Sequence, residues 1–199
     1  MTVIETWQQE AERAEPPRSS GGLLRAWLRR LGGSATREQV RLNTLRRLDE
    51  VRAVLERARD IVADGWVQDR GYVPSGRPTS GSVTLFGANR IKSEDVAAAC
   101  LVGAVALAAR ERDARADLTV DAGPAIDFAW YALQKYRGLG DSGVSCRAAP
   151  QALRLARIRD LMRWNDQQGR ARDEVLAVLD LGVSLAIMTA MREPVRTAA

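Results

Sequence analysis

The chain carries two thiols, Cys100 and Cys146, and no histidine. The missing imidazole excludes Ser-His and Cys-His nucleophile pairs, histidine-ligated zinc and a histidine general base from this chain. Nucleophilic or acid–base chemistry would have to run on Cys100 or on carboxylates. Cys100 sits in the apolar run Ala99-Cys100-Leu101-Val102-Gly103-Ala104, where a thiol is first of all a small buried hydrophobe. As a nucleophile it would need a cationic neighbour to hold the thiolate, and here arginine is the group to supply it. Asp121, Asp127, Asp141, Asp160, Asp166 and Glu174 fall near expected helix ends or loops, where surface capping is the simplest use. Two such groups could hold a divalent ion or share a proton. None of them forms an ExxE or DxxxD pair on an apolar helix face, and Asp160 and Asp166 are separated by an expected helix break. No metal site or cofactor is expected, and there is no phosphate-binding loop, dinucleotide fingerprint or nucleophile elbow.

Three short words stand out around these residues. They are Gly65-Trp66-Val67-Gln68, the Ala99–Ala104 run, and Trp164-Asn165-Asp166 followed by Gly169-Arg170-Ala171-Arg172-Asp173-Glu174-Val175-Leu176. Trp66 and Trp164 each offer a large apolar ring with one N–H, suited to closing the ends of a helix bundle. Asn165 and Asp166 can cap the turn that follows. The functional alternative gathers Gln68, Cys100, Asn165 and Asp166 into one polar pocket. In order and spacing the three words resemble an actinobacterial and phage family, the domain of unknown function 6197, over about residues 48–190. No activity is established for that family, so the resemblance implies a fold and a boundary rather than a reaction. Ala171 stands where the family pattern has a capping threonine, and the stretch Gly138 to Pro150 is longer than its counterpart.

The elements that must position these residues are helical. A long helix is expected from Ser34 or Thr36 as N-cap to Asp64-Gly65, with apolar residues at Val40, Leu45, Leu48, Val51, Val54, Leu55, Ala58, Ile61 and Val62 recurring every three to four positions. Residues 66–91, rich in glycine and proline and carrying the β-prone patch Ser82–Phe86, read as loop with a short hairpin. Ser93-Glu94-Asp95 is expected to open a buried helix through Val96 to about Glu111, whose Gly103 would admit a neighbouring helix at short range. Pro124 to Arg137, Pro150 to Trp164 and Ala171 to Met191 complete the set, each bounded by proline or glycine. The expected fold is all-α, a bundle of five or six helices with the irregular segment at 66–91. Neither apolar stretch reads as a membrane span: Val96–Ala109 covers 14 residues where about 20 are needed, and Asp180 interrupts Val175–Met191.

Residues 1–33 read as a mobile arm with short amphipathic helices, broken at Glu15–Gly22 and at Gly32-Gly33, ahead of a helical domain at 34–193 and a tail at 194–199. Within the arm, Leu24, Trp27, Leu28 and Leu31 share one helical face, with Arg25, Arg29 and Arg30 on the other. From Arg18 to Arg59 there are 11 arginines against four acids, a local charge of +7. The charge is read first as a solvated helix face with i,i+4 pairs such as Arg52 with Glu56. The resulting expectation is a non-enzymatic cytoplasmic protein-interaction module, encoded on a phage or other mobile element, docking through the arm and the long helix, which could also support homo-oligomers. Two alternatives stand beside it. One is a nucleic-acid-binding accessory protein using residues 18–59. The other is a histidine-free enzyme using Cys100 or carboxylates.

Overall fold

The computed structural model describes residues 21–76, 92–139 and 149–193, with side chains in the first helix from residue 37 onward. Five α-helices and one small sheet make up these residues: α1 (Gly21–Asp64), β1 (Tyr72–Pro74), a 3₁₀ turn (Ser93–Asp95), β2 (Val96–Ala99), α2 (Leu101–Arg112), α3 (Gly123–Tyr136), α4 (Gln151–Asn165) and α5 (Arg172–Arg192). This is an all-α bundle. The chain divides into two compact units, Met1–Arg41 and Leu42–Ala199, and the core belongs to the second.

α1 departs from expectation at its start. It runs unbroken through Gly32-Gly33, Ser34 and Thr36 for 44 residues, so neither Ser34 nor Thr36 is an N-cap. Two glycines cost about 2 kcal/mol of helix propensity, which the good helix formers on both sides outweigh. Its core stripe is also shorter than expected. Leu48, Val51, Val54, Leu55, Ala58, Ile61 and Val62 are buried, whereas Val40 is 59% exposed and Leu45 half-buried. The expected helix at residues 2–14, the patch at 82–86 and the tail at 194–199 lie outside the described residues.

α2 is the hub. All nine residues from Leu101 to Ala109 are buried, and a helix enclosed on every side must be apolar on every side. It does not begin at Ser93, as expected. Val96–Ala99 instead forms β2, antiparallel to β1, with Tyr72 opposite Ala99 and Val73 opposite Ala98. The sheet therefore joins the two flanks of the irregular segment. Two glycines permit this junction. A Cβ on Gly65 would lie 2.0 Å from the Ala97 carbonyl oxygen, and one on Gly103 would lie 2.0 Å from that of Gly71. Gly103 thus faces the loop backbone before β1 rather than a neighbouring helix.

Around this hub α3 packs against α5 and α4. α5 is long and apolar enough to cross a membrane by length and composition, but Val175, Val178, Leu179, Gly182, Leu185 and Ala186 line its buried face in the core. Asp180 on its outer face accepts from Arg59 of α1 at 2.6 Å. Arg57 reaches α2, donating from Nε and Nη2 to the two carboxylate oxygens of Glu111 at 2.7 and 2.8 Å. Those bonds hold the Glu111 carboxyl below its usual range.

Candidate functional site

Of the four residues of the polar-pocket alternative, Gln68, Asn165 and Asp166 are joined by hydrogen bonds, and Cys100 directly precedes Leu101, which Asn165 also holds, at the point where the α1–β1 loop, the start of α2 and the end of α4 meet. Asn165, the last residue of α4, is fully buried. Its Oδ1 accepts from the Trp66 indole Nε1 at 2.9 Å and from the backbone N–H of Leu101 at 3.2 Å. Its Nδ2 donates to the Val67 carbonyl at 3.1 Å and to Asp166 Oδ1 at 2.8 Å. One amide thereby ties three segments distant in sequence, and its donors and acceptor are all used, as a buried amide requires. Asn165 reaches back to the loop and α2 instead of capping the turn that follows it.

The neighbours extend the same joint. Gln68 donates from Nε2 to the carbonyls of Asn165 and Gln167 at 3.0 and 2.8 Å. Asp166 Oδ1 also accepts the backbone N–H of Asp69 at 2.9 Å. Asp69 has φ of 59°, a left-handed conformation that short polar residues tolerate better than most, and this bond fixes it. Below them the Gly71 carbonyl accepts Cys100 N–H at 3.0 Å and the Gly65 carbonyl accepts Ala99 N–H at 3.0 Å. The loop's backbone groups are thus paired with the strand and helix start they pack upon.

Cys100 is the N-cap of α2, and its Sγ accepts the Gly103 N–H at 3.3 Å. A thiol caps less strongly than a hydroxyl or carboxylate, yet it satisfies one of the free donors of the first turn without a water-seeking group in the core. Burial pushes the thiol up to about 11, opposed by the Gly103 N–H and reinforced by the nearby Asp166 carboxylate. At neutral pH Cys100 is a protonated thiol. Among the described residues no arginine hydrogen-bonds or ion-pairs with Sγ, and the anion beside it disfavours a thiolate. As arranged, the quartet is a latch between secondary-structure elements.

The expected carboxylates divide by environment. Asp121 Oδ2 accepts the Asp117 N–H at 2.7 Å, a loop-closing bond. Glu174 accepts the Ala171 N–H at 2.9 Å, which is half of a capping box. The reciprocal bond is missing because alanine has no side-chain oxygen. Asp160 accepts from the Trp130 indole at 2.9 Å and from Arg137 at 3.1 Å, and Asp141 lies outside the described residues. Asp160, inside α4, thus ties that helix to α3 instead of capping it, and Asp127 departs further from expectation. It is not a surface cap but 4% exposed, on the inner side of α3. Among the described residues no group of three or more Cys, Asp or Glu side chains is placed to hold a metal ion.

Asp127 also marks a cluster that sequence reasoning missed. Arg154 and Arg157, 6% and 7% exposed, share it: Arg154 Nε donates to Oδ2 at 3.0 Å and Arg157 Nη1 to Oδ1 at 2.6 Å. Arg154 Nη1 donates to the Thr119 carbonyl at 2.8 Å. The Arg157 guanidinium lies 4.7 Å from the Trp130 ring centroid and 4.8 Å from that of Tyr131, a cation–π arrangement suited to arginine. The available signal was a lone acid among Ile126, Phe128 and Trp130, together with arginines three apart on one helix.

The candidate docking residues Leu24, Arg25, Trp27, Leu28, Arg29, Arg30 and Leu31 lie on α1, but their side chains fall outside the described residues. Farther along the helix no residue from Arg37 to Arg47 is buried. Leu42 is 49% exposed.

The sequence profile of one protein family, described as a family of unknown function and numbered DUF6197, matches residues 46–182. The chain belongs to this family. No curated protein and no solved structure matches it. The match covers the buried part of α1, the Asn165 latch and the Asp127 cluster, and ends within α5. The stretch Arg37–Leu45, in which no side chain is buried, precedes it.

Proposed function

We propose that the chain is a non-enzymatic cytoplasmic interaction module that docks a protein partner through the N-terminal half of α1. The observation that carries this reading is that no side chain from Arg37 to Arg47 is buried, with Val40 and Leu42 59% and 49% exposed. Residues two apart lie on different faces of a helix, so a partner that covers both would have to wrap around α1 rather than lie along one side of it. Arg37, Arg46 and Arg47 are exposed on the same stretch, so the complementary surface is apolar and flanked by carboxylates. The saturated latch at Asn165 and the protonated Cys100 support a scaffold role for the body. Carriage on a phage or other mobile element accords with such an accessory role.

A photoreactive amino acid placed at Leu42 in the full-length chain, expressed in its own cells, tests this. One discrete protein adduct is expected from position 42, and none from Asp173, an exposed position on α5. A product that is nucleic acid, with duplex binding that falls steeply and linearly in log–log salt titration, would replace this reading by phosphate recognition through the arginine-rich stretch.

A further inference from the structure

Between α1 and the C-terminal half of α5 runs a groove of about 420 Å³. Leu48 and Ala186 form its buried base, while Ile187 and Met191 on its α5 side are 42% and 80% exposed. Leu45 on its α1 side is half-buried. Leu42, three residues earlier and on the same helical face, is 49% exposed. An apolar patch of this kind with a charged rim is one that a partner covers.

The charges along α1 select the occupant. On a helix of about 3.6 residues per turn, Glu38, Arg41, Leu42, Leu48, Asp49 and Arg52 all fall within about 60° of Leu45 around the axis, and Val40 falls well outside this stripe. At about 1.5 Å per residue, Glu38 and Arg52 lie about 10.5 Å to either side of Leu45 along the axis, and Arg41 and Asp49 about 6 Å. The two members of each set are opposite in sign. A two-fold axis at Leu45 therefore brings Glu38 of one copy to Arg52 of the other and Arg41 to Asp49, each contact made twice. No surface of a single sign matches this stripe, whereas the stripe matches itself. The surface pairs of Glu38 with Arg41 and of Asp49 with Arg52 do not exhaust these groups. Such i,i+3 pairs contribute little on their own, and a carboxylate accepts up to about four hydrogen bonds. Of the five N–H groups of Arg52, three serve Asp49 and Glu56.

We infer that a second copy of this chain occupies the groove, with the two α1 helices antiparallel about Leu45. Leu42, Leu45, Ile187 and Met191 of both copies form the apolar centre, and the Glu38–Arg52 and Arg41–Asp49 pairs form the flanks. The inference rests on the docking reading above and names the partner on the Leu42 side of α1. Glu38 and Asp49 of the second copy are carboxylates beside an apolar centre, as that reading requires. The core of each copy is complete within one chain, so the monomer stays folded and the exchange is reversible, with dimer growing at micromolar protein and above.

Sedimentation equilibrium of the purified full-length protein should show a monomer–dimer exchange, and the photoreactive residue at position 42 should give, in the same solution, an adduct of twice the chain's mass. Asp49→Arg sets like charges against Arg41 across the axis, and Arg41→Asp does the same against Asp49. Because each contact occurs twice, either change alone should weaken the dimer about ten-fold. The two together restore opposite charges and should return the affinity to within about three-fold of the parent, a rescue that independent effects on folding would not give. Met191→Asp, at a position 80% exposed, should also weaken the dimer, with the circular dichroism spectrum unchanged. A chain that stays monomeric up to millimolar protein would overturn the inference, as would a dimer indifferent to Met191→Asp or a double variant that dimerises no better than the weaker single one. If the purified chain is monomeric while position 42 cross-links to a different protein in cells, the second-copy inference falls and the docking reading stands; if position 42 yields no protein adduct in either setting, both fall.

Discussion

Replacing Asn165 by alanine tests whether the polar quartet is a latch or a site kept open for chemistry. The substitution removes an acceptor from Trp66 Nε1 and from Leu101 N–H, and a donor from Val67 O and Asp166. Trp66 and Asp166 are only half-buried and can recruit water. Leu101 is fully buried, so its N–H is stranded at about 1–3 kcal/mol. Adding a partial penalty for Trp66 and for the space left by the amide gives a loss of about 3 kcal/mol. Urea denaturation followed by tryptophan fluorescence should show the midpoint falling with the slope unchanged. Gln68→Ala is the control: its side chain meets two carbonyls near the surface, so its loss should cost under about 1 kcal/mol. An Asn165→Ala protein as stable as the parent would refute the latch. Residues held in place for function rather than folding commonly give neutral or stabilising variants on truncation.

Three further outcomes follow from the same geometry. With the Cys100 thiol raised from 9.0 to about 11, the native state holds its proton longer than the unfolded state. Stability should therefore be complete below pH 9 and decline between pH 9 and 11, by roughly 1 kcal/mol at pH 10; a Cys100→Ala protein should lack this component, and a thiol reagent should label Cys100 only on unfolding. Gly103→Ala should lower the melting temperature by several degrees, because the new Cβ would meet the Gly71 carbonyl oxygen at 2.0 Å and overpacking against backbone costs about 1–3 kcal/mol. Ala171→Ser should raise stability by about 0.5–2 kcal/mol, measured in the same urea titration, since residue 171 is already extended at φ −105° and ψ 150° and Glu174 already supplies the other half of the capping box.

The helices after residue 120 were legible because their stops are chemical. Pro124 sits in the first turn of α3, Pro150 directly precedes α4, and both helices begin and end within about two residues of expectation. The stretch from Ser93 to Cys100 was not legible, because an alanine-rich run does not distinguish strand from helix by periodicity. What makes Val96–Ala99 a strand is its pairing with Tyr72–Pro74 and the carbonyls of Gly65 and Gly71, contacts made across a long gap in sequence. The convergence of Gln68, Cys100, Asn165 and Asp166 was visible in the three short words, but their roles as donor and acceptor were not. Asp127 with Arg154 and Arg157 stayed hidden because charged residues read as surface unless their partners are known. The uninterrupted α1 was missed because a glycine pair is a strong local signal that neighbouring helix formers can override.

The docking role of α1 is tested most directly by exchanging Val40 and Leu42 for aspartate together in the full-length chain and measuring both recovery of the partner cross-linked at position 42 and the thermal melt. Both side chains are exposed, so the melting temperature should stay within about 2 °C of the parent, since surface changes away from the core cost at most about 0.5 kcal/mol. Partner recovery should be lost. Undiminished recovery with aspartate at both positions, or a loss that appears only together with a lower melting temperature, would contradict the proposal that this half of α1 is a docking surface.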